Sequence, residues 1–346
     1  MKILKKILLI TLPTVGVTWF MICFFSGCTV GLQPLADTVE MEAESAIDRG
    51  FDGIIVCVNR PGATELYAAG WHNRENEIPA DPHSLFKIAS ISKLYIAAAT
   101  AKLVHADRLS LDKTLAQYLP DIAPRIEHSD EITLRMLVQH RSGIPNFTDD
   151  SDFPWLDLPI SNRDALEFVL DESADFQPDR RYKYSNTNYL LLGEILDSTL
   201  GYSHHQYIRE EILEPLGLDN TYSLFSEVDP DQVMSGYGNY NGWEPNVKDN
   251  DYTIPGGSMV STAEEVTIFL RALIDGTLFT PEEQEVYSSI YVYEHTGLLP
   301  GYQSIVRYHE GLDAVVVQFT STSGKNSWSK SERVYRRIVR VLEKEE

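Results

Sequence analysis

Cysteine is scarce in this chain, and the few residues present leave no pair for a disulfide bond in the body of the protein. Of three cysteines in 346 residues, Cys23 and Cys28 lie close to the N-terminus and Cys57 stands alone further on. Cys57 lies inside the apolar run 54–58, so we expect it to fill the core rather than to act as a reactive thiol. A fold stapled by disulfide bonds is therefore excluded.

Motifs of several enzyme classes are missing as well. The sequence has no G-x-S-x-G elbow, which α/β-hydrolases place around their nucleophile, and no H-E-x-x-H zinc motif. It also has no phosphate-binding loop and no G-x-G-x-x-G motif, which argues against a nucleotide cofactor. The nine histidines are scattered except for His204-His205, and adjacent residues on a helix do not face one site. We therefore expect no metal and no cofactor.

Positive charge is also in short supply. Lysine and arginine total 29 against 51 aspartates and glutamates, which gives a formal net charge of −22 at pH 7. This balance argues against a nucleic acid partner and favours a self-repelling, soluble surface. No linker, repeat or low-complexity run divides residues 41–346, so we expect one domain there, joined through residues 29–40 to an N-terminal segment.

The N-terminal segment, residues 1–28, resembles an export signal. Three lysines, at positions 2, 5 and 6, precede the largely apolar residues 7–25. Phe25-Ser26-Gly27-Cys28 resembles a bacterial lipobox with Cys28 as the lipidated residue, although Phe stands where Leu is usual. The alternative is an uncleaved transmembrane anchor, because the apolar stretch has about the ~20 residues that a span needs. Both interpretations predict an extracytoplasmic, membrane-tethered domain, and we favour the lipoprotein.

A Ser-x-x-Lys tetrapeptide, the first candidate for chemistry, occurs four times, at Ser84, Ser90, Ser110 and Ser327. Only Ser90 is followed by a long helix-forming stretch, the Ala- and Leu-rich residues 94–103. On a helix, Lys93 lies on the same face one turn after Ser90, and the helix N-terminus favours negative charge. A serine hydroxyl needs a base, and burial lowers the pKa of a lysine. An ordinary N-cap is the alternative role for Ser90.

Two further motifs follow along the chain. Tyr184-Ser185-Asn186 begins 94 residues after Ser90, and His295-Thr296-Gly297 begins 111 residues after Tyr184. The first offers a phenol that can move protons and an amide that can hold a substrate, whereas the second offers a polar strand edge. Taken singly, each also fits a plain structural role, as a loop before a helix at 187–199 or a turn before a strand. Their joint occurrence in this order favours catalysis.

Together the three motifs resemble those of the serine β-lactamase and penicillin-binding-protein family, in its class C-like branch of D,D-peptidases and esterases. The resemblance runs from about residue 41 to the C-terminus. Further segments at 137–145, 212–218, 255–262 and 297–302 resemble structural elements of the family. Class A β-lactamases have an S-D-N motif where this chain has Tyr184-Ser185-Asn186. This difference argues for a tyrosine-dependent mechanism over a glutamate-dependent one.

The resemblance also implies a role for each motif residue. Ser90 becomes the acylated nucleophile, Lys93 its activator and Tyr184 the partner base, with the order of proton transfer between Lys93 and Tyr184 left open. The backbone N–H groups of Ser90 and Leu298 form the oxyanion hole, where each donor is worth roughly 3–4 kcal/mol. His295 completes the catalytic group. Substrate binding falls to Asn186, Thr296 and Gly297.

The predicted fold class is α+β, of the β-lactamase and transpeptidase type. Strands are expected near both ends of the domain, and a largely helical region at 105–250 is expected between them. The strands fall at 53–59, 65–71, 302–308 and 313–320, and the helices outside the central region at 37–49, 262–276, 281–289 and 329–344. These patterns predict an antiparallel sheet flanked by helices with an inserted helical subdomain, and a cleft between the two.

The leading functional hypothesis is a membrane-tethered serine hydrolase that forms an acyl-enzyme on Ser90. Its substrates would be D-amino-acid peptides, in the manner of a D-Ala-D-Ala carboxypeptidase acting on peptidoglycan stem peptides, or small esters. The alternatives are a class C-like β-lactamase, a penicillin-binding sensor that acylates without turnover, and a structural envelope protein. His295 stands where classical β-lactamases carry lysine, and an unperturbed histidine is mostly neutral at pH 7. We therefore expect weak β-lactam hydrolysis.

Overall fold

Strands from both ends of the chain meet in one antiparallel sheet of six strands, in the order β3-β2-β1-β9-β8-β7. The computed structural model describes residues 34–158, 160–239, 244–324 and 326–345. Its strands are β1 (Gly53–Arg60), β2 (Ala63–Asn73), β3 (Ile78–Pro79), β4 (Phe86–Lys87), β5 (Tyr237–Gly238), β6 (Val260–Ser261), β7 (His295–Leu299), β8 (Tyr302–His309), β9 (Ala314–Thr320) and β10 (Thr322–Ser323). The pairing of β1 with β9 joins the strands from the N-terminal part of the domain to those from the C-terminal part.

The structure describes helices before, between and after the two groups of sheet strands. They are α1 (Val39–Asp48), α2 (Ser92–His105), α3 (Leu115–Tyr118), α4 (Leu134–Val138), α5 (Asn162–Glu167), α6 (Asn186–Leu200), α7 (His204–Ile208), α8 (Glu214–Leu216), α9 (Ala263–Asp275), α10 (Pro281–Ile290) and α11 (Ser327–Glu345). Capping residues set several boundaries. Thr280 and Glu283 form a capping box at the start of α10, for example, and α6 ends at Gly201 in the left-handed conformation.

The centre of the sheet is covered on both faces. On one face the Cys57 thiol lies 3.8 Å from the Thr267 hydroxyl of α9. On the other, Gln318, the register partner of Val56, donates to the Ser331 hydroxyl of α11 at 2.9 Å. Successive residues of a strand face opposite sides of the sheet. Because both sides are covered here, the central strands bury the side chains on both faces. The buried, free Cys57 thiol is a core filler as predicted, and burial raises its pKa.

Helix α2 is buried almost all round, which is the pattern of a core helix rather than a surface one. It contacts α10 as well as α6 and α7 of the helical region. The 3-10 turn Ala89–Ile91 leads into α2 and contacts the edge strand β7. The start of α2 is therefore fixed between sheet and helices, where a cleft opens.

The predicted α+β fold is confirmed, and its predicted helices and strands agree with the structure to within a few residues. Strand β9 starts one residue later than predicted, because Asp313 adopts a left-handed turn with φ of 42°. The predicted signal and the lipobox with Cys28 lie outside the described residues. In the described part of the chain, no helix has the length and apolar character needed to cross a membrane.

Candidate active site

The turn that carries Ser90 is tightly pinned and has an unusual backbone. Ala89 has φ of +52°, a region that residues with a Cβ rarely adopt. The Ser304 hydroxyl donates to the Ile88 carbonyl at 2.8 Å, and the Ser92 hydroxyl donates to the Ala89 carbonyl at 2.6 Å. These contacts hold the turn against β8 and present Ser90 to the cleft. Local strain of this kind is typical of functional sites.

Ser90 does not cap α2. The helix begins at Ser92, and its N-cap residue, Ile91, makes no side-chain capping bond. The Ser90 Oγ instead lies 2.7 Å from the Tyr184 Oη and accepts a hydrogen bond from the Lys93 Nζ at 3.1 Å. The N-cap alternative is therefore wrong, and the three predicted catalytic side chains of Ser90, Lys93 and Tyr184 are in direct contact.

The Lys93 amine is buried among uncharged acceptors. Only 1% of the residue is exposed, and besides Ser90 its Nζ donates to Asn186 Oδ1 at 2.9 Å and to the Gly256 carbonyl at 2.7 Å. No carboxylate is among these hydrogen-bond partners, so no opposite charge offsets the cost of desolvating an ammonium. Burial lowers the pKa of Lys93 to about 7. A large share of the amine is therefore neutral at physiological pH and able to accept a proton.

Tyr184 is a neutral phenol in this site. Burial raises its pKa, and the hydrogen bond with Ser90 offsets only part of that effect. A Tyr184 phenolate that could act as a base at rest is therefore not favoured. The structure favours Lys93 as the first base, and Tyr184 remains positioned to donate its proton.

Asn186, the first residue of α6, holds the other side chains in place. Its Oδ1 accepts from both Lys93 and Tyr184, the latter at 3.2 Å. Its Nδ2 donates to the Thr148 hydroxyl, and its backbone N–H donates to Asn146 Oδ1, each at 2.9 Å. The amide is thus fixed at both ends, and it orients Lys93 as well as facing the cleft.

Strand β7 brings the third motif against the Ser90 turn. A Cβ at Gly297 would lie 2.4 Å from the Ile88 carbonyl and 2.2 Å from the Ser304 hydroxyl, so only glycine allows this approach. A two-residue turn joins β7 to β8, and Leu299 pairs with Tyr302 across it. The alternation of an antiparallel pair then directs the Leu298 N–H away from β8, toward the open edge. That direction is the one an oxyanion donor needs.

His295 lies in the same cleft but does not touch the nucleophile. Its Nδ1 bonds the Thr296 carbonyl at 2.6 Å, and its Nε2 faces the Tyr291 hydroxyl at 3.0 Å. Because the Thr296 carbonyl can only accept, Nδ1 carries a proton, and a neutral ring then accepts from the Tyr291 hydroxyl at Nε2. Burial, with the charge of Lys93 as a second cause, lowers the pKa of His295 to about 4. His295 therefore brings no positive charge to the cleft.

Two cavities adjoin this group of side chains, and Tyr184, His295 and Thr296 border both. The Ser90 cavity has a volume of about 740 Å³, and its walls include Ser90, Trp155, Asn186, Leu298 and Trp328. The Arg307 cavity has a volume of about 550 Å³, and its walls include Gln139, His140, Tyr182, Glu294 and Arg307. All the predicted site residues of the three motifs except Lys93, which lies behind Ser90, line one cavity or both.

Sequence reasoning missed several contributors. Gly256 belongs to the segment 255–262, which was expected only to be structural, yet its carbonyl accepts a hydrogen bond from Lys93. Tyr291 bonds His295, and the His140 ring lies 4.6 Å from the Tyr184 ring, centroid to centroid. Two of them lay in segments that the sequence had singled out, Gly256 in 255–262 and His140 in 137–145. The rings of His204 and His205 lie 4.1 Å apart, contrary to the expectation that adjacent residues on a helix do not face one site.

The comparisons with known proteins agree with this geometry. Residues 36–289 match the family model described as Beta-lactamase. The matched region ends just before the third motif. Putative penicillin-binding protein PbpX of Bacillus subtilis (strain 168) is 23% identical over 312 residues, 86% of this chain and 76% of that protein. Protein flp of Staphylococcus aureus (strain MW2) is 27% identical over 158 residues, 44% of this chain but only 30% of that protein.

One solved structure shares the fold over nearly the whole domain. D-amino acid amidase from Ochrobactrum anthropi SV3, complexed with L-phenylalanine, has a TM-score of 0.79 at 21% identity, and the match covers 89% of this chain and 98% of that one. At this identity the likeness shows the fold alone. Because the family model spans well over half of the sequence, this chain belongs to the Beta-lactamase family, and it is a serine hydrolase related to the penicillin-binding proteins.

Proposed function

We propose that this chain hydrolyses D-amino-acid peptides or amides, or small esters, through an acyl-enzyme on Ser90. The observation that carries the proposal is the contact of the Ser90 Oγ with both the Lys93 Nζ, at 3.1 Å, and the Tyr184 Oη, at 2.7 Å. A nucleophile, a base with a pKa of about 7 and a neutral proton donor therefore meet at one atom.

Acylation begins with neutral Lys93. Its amine takes the Ser90 proton as the Oγ attacks the substrate carbonyl carbon. The backbone N–H groups of Ser90 and Leu298 stabilise the resulting oxyanion. As the bond to the leaving group breaks, Tyr184 gives its proton to the departing nitrogen or oxygen and recovers one from the Lys93 ammonium. The products of this half-reaction are the Ser90 ester and the free amine or alcohol.

Deacylation reverses the roles. A water molecule attacks the ester carbonyl, and its proton passes to Tyr184 and Lys93 acting together. The C–Oγ bond then breaks, Ser90 regains a proton, and the free acid leaves. Because Asn186 Oδ1 accepts from both Lys93 and Tyr184, it keeps these two groups close enough to exchange a proton in both halves of the cycle.

The cleft offers no free positive charge, among its described residues, to a substrate carboxylate. His295 is neutral, and Arg307 is already bound by Glu332, with N–O distances of 2.8 and 3.2 Å, and lies 3.7 Å from Glu294. Two carboxylates thus surround one guanidinium. β-Lactams carry a carboxylate, so we expect them to be turned over poorly, and neutral esters or amides to be better substrates.

The fold likeness to a D-amino acid amidase supports the D-amino-acid branch of this proposal. The similarity to PbpX supports a second candidate, covalent binding of penicillin without turnover. The experiment that separates them is rapid-mixing kinetics with a fluorescent penicillin, a D-Ala-D-Ala peptide and a p-nitrophenyl ester. Steady-state turnover of the peptide or ester supports the hydrolase. A burst of one equivalent with every substrate and no turnover supports the sensor.

We further propose that the domain is extracytoplasmic and tethered through a lipid on Cys28. The support is the sequence of residues 1–28, with its basic start, apolar stretch and lipobox-like end. Cys28→Ala should abolish incorporation of labelled palmitate and release the domain from the membrane fraction. Full membrane retention of a parent protein that incorporates no palmitate would instead support an uncleaved anchor.

A further inference from the structure

The Ser90 cavity is large and uncharged. Its volume is about 740 Å³, and none of the described residues on its walls carries a formal charge at neutral pH, since His295 is neutral. The neighbouring Arg307 cavity differs, because Glu294 and Arg307 line it. A charged group that entered the Ser90 cavity would lose hydration without gaining a counter-ion. An apolar group would gain from burial.

Two tryptophans give the Ser90 cavity aromatic walls. Trp155 lies nearly parallel to Tyr252, with centroids 6.1 Å apart and planes 13° apart, and edge-on to Phe153 at 4.7 Å. Trp328 lies in the first turn of α11. These packing partners hold Trp155 in place before any ligand arrives. A wall of this kind favours aromatic or large aliphatic groups at little entropic cost.

The geometry of the nucleophile decides which part of a substrate enters this cavity. The reacting carbonyl must lie between the Ser90 Oγ and the N–H groups of Ser90 and Leu298. The proton for the leaving group comes from Tyr184, which faces the His295 end of β7. The acyl group therefore extends the other way, past Leu298 toward Leu299 and Pro300, which line the Ser90 cavity.

We propose that the acyl group transferred to Ser90 has an uncharged side chain or hydrocarbon chain that is either aromatic or long aliphatic, and that Trp155 and Trp328 select it. This inference rests on the proposed acyl-enzyme mechanism and narrows its substrate class. Among D-amino-acid substrates it favours phenylalanine-like acyl groups over residues with an ammonium or carboxylate side chain. Among esters it favours long or aryl-bearing acids over acetate.

The test uses p-nitrophenyl esters, so that the leaving group is constant and kcat/KM reports acylation. The acids are acetate, hexanoate, 4-phenylbutyrate, 6-aminohexanoate and adipate, the last two being charged matches of hexanoate. We expect hexanoate to exceed each charged ester by at least roughly tenfold, and 4-phenylbutyrate to exceed acetate by at least as much. Comparable kcat/KM values for the charged and neutral six-carbon esters would overturn the inference.

Substitutions of the two tryptophans test whether these side chains produce the selectivity for the acyl group. Trp328→Ala and Trp155→Ala should each lower the ratio of 4-phenylbutyrate to acetate by about tenfold. Trp71→Ala is the matched control, because Trp71 is 37% exposed on β2, four strands away from β7. It should leave the ratio unchanged. Equal ratios in all three variants, with folding verified by circular dichroism, would contradict the assignment.

A gain-of-function variant tests the inference even if a tryptophan variant fails to fold. The Leu298 side chain is 54% exposed at the edge of the Ser90 cavity, so Leu298→Lys adds a charge without disturbing the core. It should raise the ratio of adipate to hexanoate by about tenfold. An unchanged ratio would overturn the inference. Loss of the proposed function itself has a different signature, namely hydrolysis of all five esters that persists undiminished in Ser90→Ala.

Discussion

Two Ser-x-x-Lys segments lie six residues apart in this chain and serve different purposes. Lys87 and Lys93 are both buried, and burial lowers the pKa of the first to about 8 and of the second to about 7. Lys93 donates to Ser90, whereas Lys87 donates to the carbonyls of Lys248 and Asn250, each at 2.6 Å. A buried lysine with a depressed pKa is therefore not sufficient for catalysis.

Backbone conformation accounts for the difference. Lys87 belongs to the extended strand β4, where residues three apart face opposite sides, and Ser84 bonds His72 Nδ1 at 2.8 Å instead. Ser90 and Lys93 lie in a helical turn, where residues three apart share a face. The same tetrapeptide thus brings its serine and lysine into contact in one segment and directs them to different partners in the other.

Replacing Ser90 and Ser84 in turn should give the largest difference in activity between the two segments. Ser90→Ala removes the attacking atom, so kcat/KM for an ester should fall by roughly 10⁴–10⁶-fold while the protein stays folded. Ser84→Ala, the matched control, should stay within about threefold of the parent, because Ser84 lies outside the cleft. Covalent labelling by a fluorophosphonate checks both variants. Labelling that persists in Ser90→Ala and disappears in Ser84→Ala would show that the wrong segment has been assigned.

Replacing the two lysines should give effects of different kinds. Lys93→Ala removes the base and should lower kcat by about 10²–10⁴-fold. Lys87→Ala removes the ammonium that two half-buried residues, Lys248 and Asn250, bind through their carbonyls, so we expect a loss of about 1–3 kcal/mol in the free energy of unfolding with kcat nearly unchanged. Urea denaturation and steady-state kinetics separate the two. A stability loss without a kinetic one in Lys93→Ala would contradict its role.

The effects of replacing Lys93 and Tyr184 on kcat should be coupled. Tyr184→Phe should also lower kcat strongly, because the leaving group loses its proton donor. Since the two residues relay one proton, the Lys93→Ala and Tyr184→Phe double variant should lose far less than the product of the single losses. Losses that multiply would mean that the two residues act in separate steps.

The pH dependence of acylation should follow Lys93 and not Lys87. Lys93 accepts a proton only when neutral, so kcat/KM for a neutral ester should fall below a pKa of about 7 and level off above it. Lys87→Met should leave this midpoint in place. The folded state binds fewer protons on Lys93 than the unfolded state, so stability should also rise with pH from about 7 toward the ordinary pKa of lysine. A rate profile that is flat from pH 6 to 8 would contradict the assignment.

A third lysine, placed at the cleft, gives the smallest expected change. His295→Lys introduces a positive charge where the parent has a neutral ring. Reactivity toward carboxylate-bearing penicillins should rise by about tenfold relative to neutral esters. Efficient penicillin turnover by the parent protein, equal to its best ester or peptide, would mean that β-lactam hydrolysis is the better description of its activity.

The sequence predicted the parts of the site that depend on local pattern. The Ala-rich helix after Ser90 distinguished the Ser-x-x-Lys that contacts Tyr184 from the other copies, and strand-like stretches near both ends of the domain predicted the split sheet. The Gly256 carbonyl that binds Lys93 lies 163 residues away, and no local signal connects the two. The neutral state of Tyr184 and the presence of both Trp155 and Trp328 on the walls of one cavity arise in the same way from long-range packing.

The central claim is that Ser90, activated by Lys93, carries the acyl group. Its most direct test is tandem mass spectrometry of the full chain, acid-quenched during turnover of p-nitrophenyl 4-phenylbutyrate. The account predicts a single acyl adduct on Ser90 that accumulates less in Lys93→Ala. An adduct on Ser84 or Ser327, or steady hydrolysis with no adduct on any serine, would contradict it.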